Sequence, residues 1–175
     1  MDAISIQTVL DIFHLSGGQA ISKSLLALLS HLASPDPLKS IFFMLRLLLQ
    51  RLPLDDILGK SGVQLPSKCF CCRMAAGESI EHIFASGQLA RKIWGFFGAV
   101  CGIDLPRGQL RDKTMAWWLS KQPEVQKRFV VSILPSFICW HIWKARNKTL
   151  WEGLRLSSEN ICHSIFQDVA MAVAN

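Results

Sequence analysis

The sequence contains no tyrosine, although it has six tryptophans and ten phenylalanines. Half of its 175 residues are hydrophobic, and only 18% are charged. This composition is unusually hydrophobic for a free-standing soluble domain. We therefore expect either a large buried core or a surface that faced another part of a larger protein. Tryptophan favours the same interpretation, because it buries a large area and leaves only one N–H to satisfy.

A secretory leader and a membrane-spanning run are also missing. Asp2 and Asp11 interrupt any charged-then-apolar leader. Six cysteines without a leader predict an intracellular, reducing environment rather than a disulfide framework, and they do not distinguish nucleus from cytoplasm. The longest apolar run, 129–143, is shorter than the roughly 20 residues that span a bilayer. We expect this run to be a buried helix, and we expect no membrane partner.

Sequence patterns that carry catalysis are absent as well. There is no His-Glu-x-x-His pair, no glycine-rich phosphate loop, no serine-centred nucleophile elbow and no acidic cluster. Adjacent side chains on a short helix diverge, so Asp55 and Asp56 predict a helix N-terminus rather than a two-metal site. Cys139 and His141 would lie on different faces of one helix. We expect no catalytic residues, no organic cofactor, no small-molecule substrate and no enzyme activity.

Positive charge is in excess, with 19 Lys and Arg residues against 13 Asp and Glu and a formal net charge of +6. A basic balance is compatible with a nucleic-acid partner, but ordinary solubilising charge explains it equally well. The candidate nucleic-acid contacts flank the two motifs described below. They are Lys68, Arg73, Arg91, Lys92, Lys144, Arg146 and Lys148.

A compact group of metal-ligating residue types is present in the middle of the chain. Cys69 and Cys72 are separated by two residues, a spacing that can turn both sulfurs toward one ion. His82 opens an apolar helical stretch one short loop later and can present a ring nitrogen from the other side. No cysteine or histidine follows within a turn of His82, so the pattern predicts a zinc site with three ligands. Cys71 can replace either cysteine, and Cys101 is a remote candidate for a fourth ligand.

A longer pattern surrounds these ligands, made of Cys69, Cys72, Glu78, Ser79, His82, Ile83, Phe84, Ala90 and Trp94. It resembles the zinc-binding region of plant non-LTR retrotransposon reverse transcriptases, which reads Cys-x-x-Cys, a loop, Glu-Ser-x-x-His, an apolar pair, Cys and Ala-x-x-x-Trp. The last cysteine of that pattern aligns with Gly87 here. The resemblance implies zinc ligands at three positions and a non-catalytic module that assists nucleic-acid binding in a reverse transcriptase polyprotein. The alternative is a metal-free helical relic or a protein-interaction fragment.

A second motif, Trp-His-Ile-Trp-Lys-Ala-Arg-Asn, begins at Trp140. It resembles the Trp-x-x-Trp-Lys-x-Arg-Asn helix that lies between the zinc region and the ribonuclease H domain in the same elements. Trp140, Trp143, Asn147 and Leu150 or Trp151 fall on one helical face. Cations lie between these tryptophans along the helix, and this arrangement is typical of a surface on which the bases of single-stranded nucleic acid stack. A face packed into the core is the favoured interpretation.

Helical periodicity predicts a mostly α fold, an irregular helical bundle with a short Cys/His knuckle loop between helices. We divide the chain into an N-terminal helical hairpin (1–36), a zinc-binding-like region (37–153) and a C-terminal helix (154–175). Helices are predicted at 4–14, 20–33, 37–52, 83–100, 112–121, 124–151 and 159–174, with a kink at Pro135. Phe96 and Val100 are expected to face inward, as are Phe166 and Val173.

Overall fold

The computed structural model of the protein describes residues 43–44, 46–60, 62, 68–72 and 76–174. The predicted hairpin at 1–36, with its helices at 4–14 and 20–33, lies outside the described residues. Arg73, one of the predicted nucleic-acid contacts, lies outside them as well. Within the described ranges the chain is helical and contains no strand, which confirms the predicted fold class.

Five α-helices and one π-helical turn have full bounds within these ranges. Helical residues at 43–44 and 46–48 precede them and correspond to the predicted helix at 37–52. The elements in chain order are α1 (Asp55–Lys60), π1 (His82–Ser86), α2 (Gln88–Cys101), α3 (Leu110–Trp118), α4 (Val125–Glu152) and α5 (Ser158–Ala174).

The helix ends follow from local chemistry. Gly102 and Gly153 end α2 and α4 in the left-handed conformation, with φ of 66° and 68°, where only glycine avoids a Cβ penalty. Helix α3 begins two residues earlier than predicted, because the Asp112 carboxylate accepts a hydrogen bond from the Gln109 N–H at 3.2 Å. The Glu81 carboxylate accepts another from the Leu110 N–H at 2.7 Å.

Helix α4 is the centre of the bundle. It packs against α2, α3, α5 and π1 and buries a nearly continuous run from Ile133 to Cys139 despite containing Pro135. This confirms that the run 129–143 belongs to a buried helix. None of the helices in the described ranges is long and apolar enough to cross a membrane.

Four residues predicted to face inward are exposed instead. Phe96 and Phe166 are each 44% exposed and meet edge to face at 5.9 Å on the rim between α2 and α5. Val100 and Val173 are exposed further along the same helices. The apolar stripes on these two helices are wider than the strips that neighbouring helices cover, so their outer edges stay in solvent.

The tryptophan face of α4 is packed in its first half only. Trp140 and Trp143 are half-buried and lie 5.3 and 6.0 Å from the ring of Phe43, so the favoured interpretation of these two as core residues is correct. Trp151, near the end of α4, is 79% exposed.

Candidate metal centre

Two short segments hold the predicted ligands. The Cys69 N–H donates to the Ala76 carbonyl at 2.7 Å, which closes the cysteine loop on itself. The His82 N–H donates to Ser79 Oγ at 3.1 Å, so the serine of the Glu-Ser pair caps the turn that carries the histidine. That turn is π-helical: the Gly87 N–H donates to the His82 carbonyl, five residues back, at 2.7 Å. Single π-helical turns are common at functional sites.

The three predicted ligand atoms converge. The sulfurs of Cys69 and Cys72 and a ring nitrogen of His82 all lie within 4.8 Å of one another, and Cys72 Sγ is 3.1 Å from His82 Nε2. Ligands on a tetrahedral zinc ion are about 3.5–3.8 Å apart, given typical zinc–sulfur and zinc–nitrogen distances. The cluster is therefore the right size for one ion. Two thiols and an imidazole are also ligands that zinc prefers.

The thiols differ in how readily they ionise. A hydrogen bond from the Cys71 side chain lowers the pKa of Cys69 to about 5, and the His82 ring acts in the same direction against burial. The pKa of Cys71 is raised, first because its thiol is held in that hydrogen bond and then by burial. Burial raises the pKa of Cys72. Since zinc binds thiolates, the lowered pKa of Cys69 favours this residue as a ligand.

Within the described residues the cluster contains three ligands and no fourth. Cys71 hydrogen-bonds to Cys69 but is not among the converging atoms, and Cys101 at the far end of α2 is not among them either. A Cβ at Gly87 would lie 3.3 Å from His82 Nε2, so this position borders the ligand cluster. The same Cβ would lie only 2.4 Å from the His82 carbonyl oxygen. The tight π-helical turn leaves little room for a Cβ, and this favours glycine at position 87. The backbone conformation does not, since any residue can adopt its φ of −65°.

A buried ion pair joins the site to α4, and sequence reasoning missed it. Glu78 is 1% exposed and Arg146 is 6% exposed. The Arg146 guanidinium donates to both oxygens of the Glu78 carboxylate, with Nε at 2.9 Å from Oε1. The signal available in the sequence was a carboxylate in one motif and a guanidinium in the other.

The predicted nucleic-acid contacts differ in burial and lie on several elements. Arg146 is buried and engaged with Glu78, so we leave it out of any surface site, and Arg73 lies outside the described residues. Three of the others are exposed: Lys68 beside the cysteine loop, and Arg91 and Lys92 on α2. The remaining two, Lys144 and Lys148, lie on α4. They line a groove of about 200 Å³ together with His141, Leu156, Ile161 and Ser164.

Comparison with known proteins gives an independent match. Residues 27–94 match the family described as zinc-binding in reverse transcriptase, and this segment contains all three converging ligands. No curated protein and no solved structure matches the chain. The second motif on α4 lies beyond the matched residues. Residues 27–94, which include Cys69, Cys72 and His82, are thus similar to the zinc-binding region of reverse transcriptases.

Proposed function

We propose that this chain is a non-catalytic, retrotransposon-derived module that binds zinc through Cys69, Cys72 and His82 and assists nucleic-acid binding. The observation that carries the proposal is the convergence of these three ligand atoms within 4.8 Å, inside a segment of a zinc-binding family. Bound zinc would hold the cysteine loop against π1 and stabilise the folded state. Three protein ligands leave one position for solvent, so we expect weaker binding than at a closed four-ligand site.

Metal analysis of protein purified without chelator tests the zinc part of the proposal. We expect about one zinc per chain in the wild type and almost none after Cys72→Ser, which removes one of two thiolate ligands. Cys162→Ser is the matched control, because it removes a buried thiol from α5, away from the cluster. Zinc-free wild-type protein, or equal zinc in both variants, would remove the proposed site.

The groove between α4 and α5 supports the nucleic-acid part. Within the described ranges no carboxylate lies within 4.0 Å of the Lys148 amine, whereas Lys144 is 3.9 Å from Asp168. The charge of Lys148 is therefore available to a phosphate. Leu156 lines the groove, and its neighbour Arg155 donates to the carbonyl of Phe70 in the cysteine loop at 3.4 Å. Groove and metal cluster thus lie on adjoining surfaces.

Binding of a labelled single-stranded oligonucleotide, followed by fluorescence anisotropy over a range of salt concentrations, tests this part. The double variant Lys144→Gln/Lys148→Gln should bind more weakly. Its salt dependence should be shallower by about 0.7 per lost phosphate contact. Lys127→Gln/Arg128→Gln near the start of α4 is the matched control, since it removes the same charge from exposed positions that do not line the groove. Equal weakening in both variants would mean that net charge alone drives binding, and no binding by the wild type would contradict the proposal.

A second candidate function is a metal-free fragment that associates with another protein. Phe96, Val100 and Phe166 form an exposed apolar rim between α2 and α5, and Gly87 supplies no fourth ligand. Under this alternative, a chelator leaves the thermal unfolding of the protein unchanged, and the protein self-associates in sedimentation experiments. Lower thermal stability with chelator favours the zinc-binding function.

A further inference from the structure

The ion pair between Glu78 and Arg146 lies next to the turn that carries His82, one of the candidate metal ligands. The carboxylate is on the residue just before Ser79, which accepts the hydrogen bond from the His82 N–H. A change in the position of Glu78 therefore moves the cap of the turn that carries a ligand. The partner arginine lies 68 residues further along the chain, on α4.

The same guanidinium also contacts the cysteine loop. The Arg146 Cζ atom lies 5.9 Å from the centre of the Phe70 ring, and Phe70 follows Cys69 directly. The same atom lies 5.4 Å from the centre of the Trp143 ring. Guanidinium groups stack favourably on aromatic rings, especially where water is excluded. The side chain of Arg146 thus connects its own helix, α4, to the loop that carries two of the ligands.

A third connection runs through aromatic rings. Trp143 stacks on Phe84 with ring centres 6.5 Å apart and planes 29° apart. Phe84 belongs to π1, two residues after His82. Arg146 is therefore connected to both halves of the ligand set: to the cysteines through Phe70, and to the histidine through Glu78 and through the tryptophan and Phe84.

We infer that Glu78 and Arg146 are positioning residues for the metal site, and that the zinc-binding unit of this chain extends beyond residue 94 into α4. A buried ion pair is by itself weak evidence for stability, because desolvation cancels much of its attraction. Its geometric specificity is what the site uses: the planar fork of arginine fixes the carboxylate at two points, which a lysine cannot do. This inference rests on zinc binding as proposed above.

Zinc affinity, measured by chelator competition on the full chain, tests the inference. Arg146→Lys keeps the charge but loses the fork, and we expect its affinity to fall by roughly tenfold, the scale of other supporting contacts at metal sites. Phe70→Leu leaves the ion pair intact and removes the ring beneath the guanidinium, so it tests the inference even if the arginine variant does not fold. Val169→Ala on α5 is the control for general destabilisation, because it truncates a buried side chain of another helix.

Hydrogen exchange gives a readout that a merely stabilising role would not change. In the wild type, zinc should slow amide exchange in peptides covering 76–90 and also in peptides covering 140–150. In Arg146→Lys the protection at 76–90 should remain at saturating zinc, while the protection at 140–150 should be lost. Val169→Ala should behave like the wild type in both measurements.

The outcomes separate the inference from the proposed function. If the wild type binds zinc and both variants bind it equally well, with unchanged protection on α4, then Glu78 and Arg146 do not position the site. If the wild type binds no zinc, the proposed function fails and this inference falls with it. Reduced affinity in Val169→Ala of the same size would show that general stability, rather than positioning, sets the affinity.

Discussion

Removing the guanidinium of Arg146 should destabilise the fold severely, even in the presence of a chelator. Arg146→Met keeps much of the side-chain volume but leaves the Glu78 carboxylate 1% exposed and without its bidentate partner. Breaking a buried ion pair by removing one partner costs about 3–5 kcal/mol, because the remaining charge stays buried after its charged partner is lost. That is a large fraction of the roughly 5–15 kcal/mol that stabilises an ordinary domain.

The effect can be measured by urea unfolding followed by circular dichroism. With a slope of about 2 kcal/mol per molar urea, the midpoint should fall by about 2 M. The double variant Glu78→Leu/Arg146→Met should recover most of the loss, since an apolar pair of similar volume carries no desolvation cost. Lys148→Met on the same helix is the control for loss of a cation from a half-buried position.

Two results would refute this reasoning. A loss below about 1 kcal/mol in Arg146→Met would mean that solvent reaches Glu78 and that the pair behaves like one at the surface. A double variant as unstable as the single one would mean that packing around Phe70 and Trp143, rather than the broken ion pair, accounts for the loss.

Three further predictions follow from particular contacts. Trp94→Phe should cost about 1–3 kcal/mol more than the matched Trp117→Phe. Trp94 Nε1 donates to the Phe84 carbonyl at 2.6 Å, whereas the buried Trp117 Nε1 has no hydrogen-bond partner among the described residues. Equal losses in thermal unfolding would contradict this. Gly87→Cys should bind Co²⁺ more tightly than the wild type and give a stronger visible spectrum, because it adds a thiol beside the cluster. Gly87→Ala is the control: it places the same Cβ against the π-helical turn and should lower stability without that gain. Identical spectra would argue against a fourth ligand at this position. Burial lowers the pKa of His141 below its ordinary value of 6.5. The unfolded chain therefore binds more protons than the folded chain once the pH falls to about 6.5, and stability that is present at pH 7.5 is lost as the pH falls further. His141→Gln should flatten the fall in urea midpoint between pH 7.5 and 5.5, and an unchanged slope would assign it to other groups.

Most of the ligand set could be predicted from local spacing. Cys69 and Cys72 are close in the chain, and His82 is separated from them by a short loop, so their approach needs little information from the rest of the fold. The positions of Gly102 and Gly153 likewise predicted two helix ends, because the left-handed conformation after a helix is a local preference. The π-helical form of the turn at His82 could not be predicted, since a π-helical turn has no strong sequence signal.

The burial of Arg146 could not be predicted from the sequence. A cation beside tryptophans on a basic helix predicts an exposed contact for nucleic acid, yet the structure buries it against a carboxylate 68 residues away. Phe96 and Val100 were misplaced for a related reason: periodicity shows which residues share a helix face but not how much of that face a neighbour covers.

The sequence by itself determined the helical class, two helix ends and the three candidate metal ligands, because each depends on residues within a few turns of one another. Only the tertiary structure decided which charges are buried, which aromatic residues remain in solvent, and that α4 contacts the segments of the candidate metal cluster. Those properties depend on contacts between segments far apart in the chain, and burial is a property of the assembled surface rather than of any one segment.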